Sequence, residues 1–192
     1  MKSSPWSLVA VGVMIAAMAL GAVKSAPTPG DAPAELRQKL EASRARWAEA
    51  KARAGGNYEY VSRFVSFTGF GWECTVVIRG GKVAERRYRT SQRAQPGPAP
   101  ADTSWVERGE ELGTHPEGVP PRTLDELYDE AARLLDQPAK ALKPRWVYRE
   151  NDAGLLLACG WVDEMIMDDA PFRGVRIDEI RMGAAPAGST KN

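Results

Sequence analysis

Four carboxylates near the C-terminal end of the chain form its densest group of side chains capable of chemistry. They are Asp163, Glu164, Asp168 and Asp169. Oxygen-rich side chains that are close in sequence suit a hard cation such as calcium, although the spacing lacks the D-x-[DN]-x-[DN]-G pattern of an EF-hand loop. Two carboxylates are also the catalytic pair of a carboxylate-based hydrolase such as a glycosidase. A solvated turn between two strands, ended by Pro171, explains the same residues without a ligand, so three interpretations stay open.

Side chains for nucleophilic catalysis or zinc binding are scarce. The one histidine, His115, lies in a Pro- and Gly-rich segment, and no serine lies in a G-x-S-x-G motif. This argues against a His-dependent serine or cysteine hydrolase. The two cysteines, Cys74 and Cys159, are too few for a zinc site and too far apart for a C-x-x-C redox pair.

In an exported chain the same two cysteines predict one disulfide, Cys74–Cys159. Closing a loop of about 85 residues would stabilise the fold by roughly 4 kcal/mol through loop-closure entropy. The alternative is that both are buried free thiols, which pack as small apolar side chains.

Basic residues are concentrated between positions 79 and 93, with Tyr88 among them. Basic and aromatic side chains together can mark a nucleic-acid surface. The formal net charge of the whole chain is only +1, and an exported chain is more suited to an anionic envelope polymer or an acidic protein. The residues predicted to form a surface for such an anionic partner are Arg79, Arg86, Arg87 and Arg89. The alternative is an edge strand that its arginines keep soluble.

The N-terminal segment has the pattern of a secretory signal peptide. Lys2 is followed by an uncharged stretch, Ser3–Val23, with a compact apolar run and a cleavage site after Ser25. Residues 1–25 are therefore predicted to direct the chain to a secreted or periplasmic location. The alternative is an uncleaved membrane anchor, because the uncharged stretch is about long enough to span a bilayer. Only in that case would the membrane be a partner.

The remaining chain divides by composition. Residues 26–34 form a Pro- and Ala-rich linker, and residues 35–182 a single domain. Within it, residues 91–122 are Pro- and Gly-rich and predict a long, mostly irregular loop. Residues 183–192 are predicted to be a disordered tail.

Two helices are indicated by period and by end signals. An apolar stripe of Leu36, Leu40, Ser43 and Trp47 predicts the first over Pro33–Ala54, ended by Gly55 and Gly56. Thr123 and Glu126 form the capping box of the second, and Pro138 ends it.

Six strands are indicated by period-two patterns. They are Tyr58–Phe67, Trp72–Arg79, Lys82–Thr90, Arg145–Glu150, Leu155–Val162 and Val175–Met182. Gly80 and Gly81 mark a hairpin turn between the second and third. The order α-βββ-α-βββ has no β-α-β repeat, so the predicted fold class is α+β, with two helices packed on an antiparallel sheet.

An ordered set of residues resembles a family of small exported bacterial domains of unknown function, which are often predicted lipoproteins. The set is Trp47, Tyr58, Tyr60, Cys74, Val76, Val77, Gly80, Gly81, Lys82, Val83, Thr123, Leu124, Asp125, Leu127, Tyr128, Trp146, Tyr148 and Gly154. The resemblance covers about Glu35 to Met182. The chain departs from the family by lacking a lipobox cysteine and by having a longer loop over 91–122. It also has Cys159 in place of the proline-bearing strand of the family. The resemblance implies no activity, cofactor or site.

The absence of a competent catalytic set, in a chain with the pattern of an export signal, predicts a non-enzymatic domain that binds a protein or a cell-envelope component. Nucleic acid is not the expected partner, and no cofactor is expected apart from calcium in the alternative. The other functions left open are a calcium-responsive domain and a carboxylate-based hydrolase.

Overall fold

A computed structural model describes residues 30–67, 69–92, 103–166 and 170–183 of the chain. The helices are α1 (Ala34–Arg53) and α2 (Leu124–Leu135), with a short 3-10 turn at Gly109–Glu111. The strands are β1 (Tyr58–Val65), β2 (Phe70–Arg79), β3 (Lys82–Gln92), β4 (Ser104–Arg108), β5 (Pro144–Glu150), β6 (Leu156–Asp163), β7 (Arg173–Arg176) and β8 (Glu179–Met182). The predicted α+β class, with helices and antiparallel strands, is confirmed.

The strands form two antiparallel sheets rather than one. Sheet A has the order β4-β3-β2-β1-β8, and sheet B has the order β5-β6-β7. One apolar core takes side chains from both sheets and both helices, including Leu40, Tyr60, Val76, Tyr128 and Cys159. The helices therefore bury their apolar faces in the core that the two sheets share.

Helix α1 buries the stripe that its period predicts: Leu36, Leu40, Ser43 and Trp47. The Trp47 ring meets Tyr58 of β1 edge-on, with 4.7 Å between centroids, and stacks at 6.5 Å on Tyr128 of α2. These contacts join the two helices to sheet A. The chain leaves the helix at Gly55, whose φ of 57° lies in the left-handed region that favours glycine.

Helix α2 starts at the predicted capping box. The Thr123 hydroxyl accepts from the backbone N–H of Glu126, and the Glu126 carboxylate accepts from the backbone N–H of Thr123. Inside the core, the Tyr128 hydroxyl is within 2.8 Å of the Ser43 hydroxyl and accepts from the backbone N–H of Leu156 at 2.9 Å. One buried phenol thus ties both helices to sheet B.

The last predicted strand, Val175–Met182, is in fact two strands that belong to different sheets. The chain changes sheet at Ile177 and Asp178: the Ile177 N–H donates to Leu157 of β6 at 2.7 Å, and the Asp178 N–H donates to Val61 of β1 at 2.8 Å. Because each neighbour offers its own row of carbonyls, a segment of continuous β character can serve both sheets.

The prediction of a mostly irregular loop over residues 91–122 is wrong for Ser91 and Gln92, which belong to β3, and for Ser104–Arg108, which form β4, while residues 93–102 lie outside the described ranges. Strand β3 continues to Gln92, and β4 pairs with it antiparallel, placing Trp105 opposite Tyr88 and Glu107 opposite Arg86. The pairing covers β3, which is therefore not the edge strand that its arginines indicate. Strand β4 is five residues long, and its partner is remote in sequence, so its own composition carries little strand signal.

The predicted disulfide Cys74–Cys159 is wrong. Both cysteines are buried free thiols. Cys74 lies in β2 of sheet A, with its Sγ 4.0 Å from the Val119 carbonyl, whereas Cys159 lies in β6 of sheet B opposite Val175. The prediction assumed a single sheet, and the two sheets keep the thiols apart. Burial raises the pKa of both thiols, that of Cys159 to about 12.

Several predictions fall outside the described residues. They concern the signal peptide over 1–25, residues 26–29 of the linker, Asp168 and Asp169, and nearly all of the tail over 183–192. The linker prediction is wrong for its described end, because Ala32 is buried in the core and Ala34 begins α1. Neither α1 nor α2 has the length and apolar character needed to cross a bilayer, and the described ranges contain no other candidate span.

Candidate binding groove

The acidic turn that follows β6 uses its described carboxylates to hold the chain. Asp163 accepts backbone N–H groups of Met165, Leu142 and Lys143 at 3.1–3.2 Å, which together hold the pKa of its carboxyl below the usual range. Glu164 pairs with Lys143 at 3.0 Å and with Arg145 at 3.3 Å. No cluster of three or more potential metal ligands occurs in the described part of the chain. These two acids therefore hold the end of β6 against the start of β5.

The arginines of β3 do not form one surface, because alternate residues of a strand point to opposite faces. Arg87 and Arg89 lie on the outer face of sheet A, away from the core. Arg79, at the end of β2, donates to the Ile78 carbonyl at 3.0 Å. Arg86 points to the inner face and is buried, so its place in the predicted anionic-partner surface is wrong.

The outer face of sheet A carries two rows of alternating charges. One row runs Arg181–Glu59–Arg87–Glu85–Arg108, and the other runs Arg181–Glu179–Arg63–Glu73–Arg89. Each row crosses the strands, so every arginine meets a glutamate of a neighbouring strand or of its own. On this face, Arg87 and Arg89 are thus paired with glutamates of other strands.

On the inner face, Arg86 and Glu107 form a buried ion pair. The Nε and Nη2 atoms of Arg86 each donate to a Glu107 oxygen at 2.8 Å, and the two side chains are 3% and 1% exposed. Glu107 also accepts from the backbone N–H groups of Gly113 and His115 at 2.7 Å, and its Oε1 lies 2.9 Å from the His115 ring. Burial alone would raise the pKa of Glu107, but these donors outweigh it and hold the pKa well below the usual range.

This pair positions the segment after β4. Arg86 also donates to the backbone carbonyls of His115 and Val119, the latter at 3.0 Å, and its guanidinium lies 4.5 Å from the Trp105 ring centroid. The segment is therefore held against sheet A, and Val119 and Pro120 become a wall of the adjoining groove.

The groove lies where β1, β2, α2, the segment after β4 and β7 meet, and its volume is about 760 Å³. Its lining consists of Tyr60, Ser62, Arg63, Phe64, Trp72, Val119, Pro120, Arg122, Leu127, Glu130, Ala170, Pro171, Phe172, Gly174, Val175 and Arg176. This volume lies within the range of about 300–1,000 Å³ that is typical of small-ligand sites.

The aromatic floor of the groove is the end of a row of rings that crosses sheet A. Phe64, Trp72, Tyr88, Trp105 and His115 follow one another with centroids 6.1, 6.2, 5.1 and 4.5 Å apart. The inner members are covered by the segment after β4, whereas Phe64 remains 44% exposed. The stacking fixes the rings of Phe64 and Trp72 at the mouth of the groove.

The polar rim of the groove is mostly basic. Arg122 pairs with Glu130 of α2, and its backbone carbonyl accepts from the Tyr60 hydroxyl at 2.9 Å. Arg176 is 56% exposed and reaches Asp178 only at 3.9 Å, the longest ion pair among the described residues. Glu130 is the one carboxylate in the described lining, and it is paired. The described lining thus holds three arginines and one carboxylate, and Arg176 is the arginine with the weakest ion pair.

None of the groove residues was singled out as a site by the sequence. The available signal is the aromatic content of Tyr58–Phe67 and of Trp72, which predicts two strands and no site. The sequence does not show that β8 pairs with β1 only as far as Val61, which leaves Phe64 exposed beside the groove. The resemblance to small exported domains likewise stays a prediction. Comparison of the chain with protein-family models, with curated proteins and with solved structures finds no match.

Proposed function

We propose that the protein is an exported, non-enzymatic binding module, and that the groove holds an apolar ligand carrying an acidic group from a partner protein or a cell-envelope component. The observation that carries this proposal is the union, in one cleft of about 760 Å³, of an aromatic floor and a mostly basic rim.

The apolar part of the proposal rests on surface that the fold leaves uncovered. Phe64 stacks on Trp72 in the same row of rings as the buried Tyr88, yet the residue remains 44% exposed, and it lines the groove together with Phe172. Covering apolar surface is favourable by roughly 25 cal/mol per Å². A ligand with an apolar body therefore gains most of its binding energy here.

The acidic part rests on charge. The lining holds three arginines and one glutamate. Arg63 and Arg122 already have close carboxylate partners, whereas Arg176 has only its distant contact with Asp178. A carboxylate, sulfonate or phosphate on the ligand would accept a charge-assisted hydrogen bond from the Arg176 guanidinium.

Two dyes that share their rings and differ in charge test this proposal. The probe 1-anilinonaphthalene-8-sulfonate carries an anionic group, and N-phenyl-1-naphthylamine is its neutral counterpart. We expect Trp72→Ala to weaken both dyes about tenfold, since it removes a floor ring worth about 1.4 kcal/mol. We expect Arg176→Gln to weaken the anionic dye about 3- to 10-fold and to leave the neutral one unchanged.

The matched control is Arg149→Gln, an exposed arginine of β5 outside the groove lining. It should change neither affinity. Fluorescence titration of the three variants and the unmodified protein gives all the constants. If Trp72→Ala binds each dye as tightly as the unmodified protein does, the groove is not the binding site. If Arg176→Gln weakens both dyes equally, the ligand does not need an acidic group.

A further inference from the structure

Strand β1 has a free edge where it borders the groove. Its pairing with β8 runs from Tyr58, opposite Met182, to Val61, opposite Glu179, and ends there. The next residues of β1, Ser62–Val65, continue the strand and pair with β2 on the other side. Among the described residues, no strand pairs with this second half of β1 on the β8 side.

The free edge exists because the chain leaves sheet A at Asp178. Upstream of that residue it belongs to β7 of sheet B, so the two sheets diverge there. We call the space between β1 and β7 at this point the fork. Two side chains take the first positions that a continuing strand would have filled: the Asp178 carboxylate accepts from the Arg63 N–H at 2.6 Å, and the Ser62 hydroxyl donates to the Arg176 carbonyl at 3.1 Å.

The backbone groups beyond those two contacts point into the fork. The Ser66 N–H donates to Phe70, so even-numbered residues of β1 direct their backbone groups toward β2 and odd-numbered ones toward the fork. The carbonyl of Arg63 and both backbone groups of Val65 therefore face the open side, and the Val65 side chain is 72% exposed. No described residue pairs with them.

Strand β7 presents its own free edge from the opposite side. The Ile177 N–H donates to Leu157 of β6, so odd-numbered residues face β6 and even-numbered ones face the fork. The Ser62 contact with the Arg176 carbonyl shows this directly. Gly174 and Arg176 both line the groove. The groove is thus bordered by two strand edges as well as by aromatic rings.

We propose that the groove takes an extended segment of a partner protein as an added strand, paired with the β1 edge at Arg63–Val65. This inference rests on the proposed function of the groove and names its ligand as polypeptide. A polypeptide main chain supplies donors and acceptors at the strand repeat, which the two edges require.

The faces of the fork also define the side chains of that segment. Phe64 of β1 and the buried Val175 of β7 lie on the inner side, whereas Arg63 and Arg176 lie on the outer side. A strand between them would direct alternate residues to these two sides. The segment therefore has apolar residues alternating with acidic ones.

The probe for this proposal is the peptide acetyl-Val-Glu-Phe-Glu-Val-amide carrying a fluorescein label, with binding measured by fluorescence anisotropy. Two control peptides keep every side chain and carry N-methyl groups on alternate residues, in the two possible registers. We expect the parent peptide to bind and at least one methylated register to lose affinity tenfold or more, because it cannot donate to the strand edge. Equal binding of all three peptides would overturn strand addition.

A matched pair of protein variants tests the same edge from the other side. Val65→Pro removes the N–H that faces the fork, and proline is tolerated on a strand edge, whereas Val65→Thr keeps the N–H. We expect the proline variant to lose the peptide tenfold or more and the threonine variant to stay within twofold, while both bind the anionic dye as the unmodified protein does. If the proline variant does not fold, the comparison of the parent and methylated peptides is the test of strand addition.

The dye separates failure of this inference from failure of the proposed function. Dye binding without peptide binding at millimolar peptide overturns strand addition and leaves the groove a small-ligand site. Loss of both overturns the proposed function as well. Light scattering would detect a concentration-dependent dimer. If that dimer excludes the peptide, a second copy of this chain occupies the groove, and the proposal of a partner protein is wrong.

Discussion

At the scale of single residues, Arg86–Glu107 is the most deeply buried ion pair among the described residues. Six donors from four residues converge on the Glu107 carboxylate, if the His115 ring is counted among them. A buried ion pair is not itself strong evidence of stability, because desolvation offsets much of the attraction. Its role here is to hold the segment that carries Val119 against sheet A.

Removing one member of this pair should be far more costly than removing both. We expect Glu107→Gln to lower the free energy of unfolding by about 3–5 kcal/mol, because Arg86 remains buried and charged without its partner. The double variant Arg86→Met with Glu107→Leu should recover part of that loss. Urea unfolding measures the three values, and Asp129→Asn, in an exposed ion pair with Arg44, is the control and should cost at most about 1 kcal/mol. A double variant that is no more stable than Glu107→Gln would contradict the coupling.

Because the pKa of Glu107 is lowered in the folded protein, the free energy of unfolding depends on pH. Because the carboxylate form is favoured in the folded state, its contribution is fully present above the usual glutamate pKa of about 4.3. It is lost as the pH falls from there through the lower pKa of the folded protein. We expect the difference in unfolding free energy between the unmodified protein and Glu107→Gln to shrink between pH 7 and pH 2.5. Chemical unfolding across this range measures it, and a difference that is independent of pH would contradict the assignment.

At the scale of elements, the close approach of β6 and β7 connects the packing of sheet B to the groove. A Cβ built on Gly160 would lie 2.2 Å from the Arg173 carbonyl oxygen and 2.6 Å from the Phe172 ring. Glycine is therefore required at this position by space, since the two strands and a groove aromatic occupy the volume of a side chain.

Gly160→Ala should consequently affect both stability and binding. We expect a loss of about 1–3 kcal/mol in unfolding free energy, because the neighbouring strand must move, together with weaker binding of the anionic dye as Phe172 is displaced. Gly109→Ala is the control: its φ of 55° strains an alanine, but no atom lies within 4 Å of the added Cβ. It should lose stability and keep dye affinity. Unchanged dye affinity in Gly160→Ala would show that Phe172 does not contribute to the binding site.

Several elements were predictable from local patterns. The stripe of α1, the capping box at Thr123 and Glu126 and the hairpin turn at Gly80 depend on residues within a few positions of one another. The groove was not predictable in this way. Its walls come from five parts of the chain, and Phe64 has the same apolar character as strand residues that end in the core.

At the scale of the whole molecule, one core joins two sheets, and each sheet contains one of the two thiols. Cys74 and Cys159 are both fully buried, and both thiol pKa values are raised. Their reaction with a thiol reagent therefore requires opening of the core that the sheets share.

We expect both thiols to be unreactive in the folded protein and to react together on unfolding. Alkylation without a reductant should label neither cysteine in buffer and both in concentrated urea, as measured by intact mass. Because the core is shared, the two should become labelled over the same range of urea concentration. An intact mass that rises by two hydrogens on reduction would show a disulfide, and separate transitions would show that the sheets unfold independently.

The amino-acid sequence alone specifies what depends on short-range chemistry: where helices begin and end, which strand faces are apolar, and the α+β class. It does not specify partners that are distant along the chain. The split of Val175–Met182 between two sheets, the addition of β4 to β3, and the burial of Arg86 by Glu107 each follow from a long-range pairing. Such pairings are selected by the packing of the whole core, because the same strand offers equivalent backbone groups to any neighbour. Asp163 and Glu164, two of the four carboxylates that the sequence offers as a metal site, hold the end of β6 against the start of β5, and the groove that we propose as a binding site lies where the two sheets diverge.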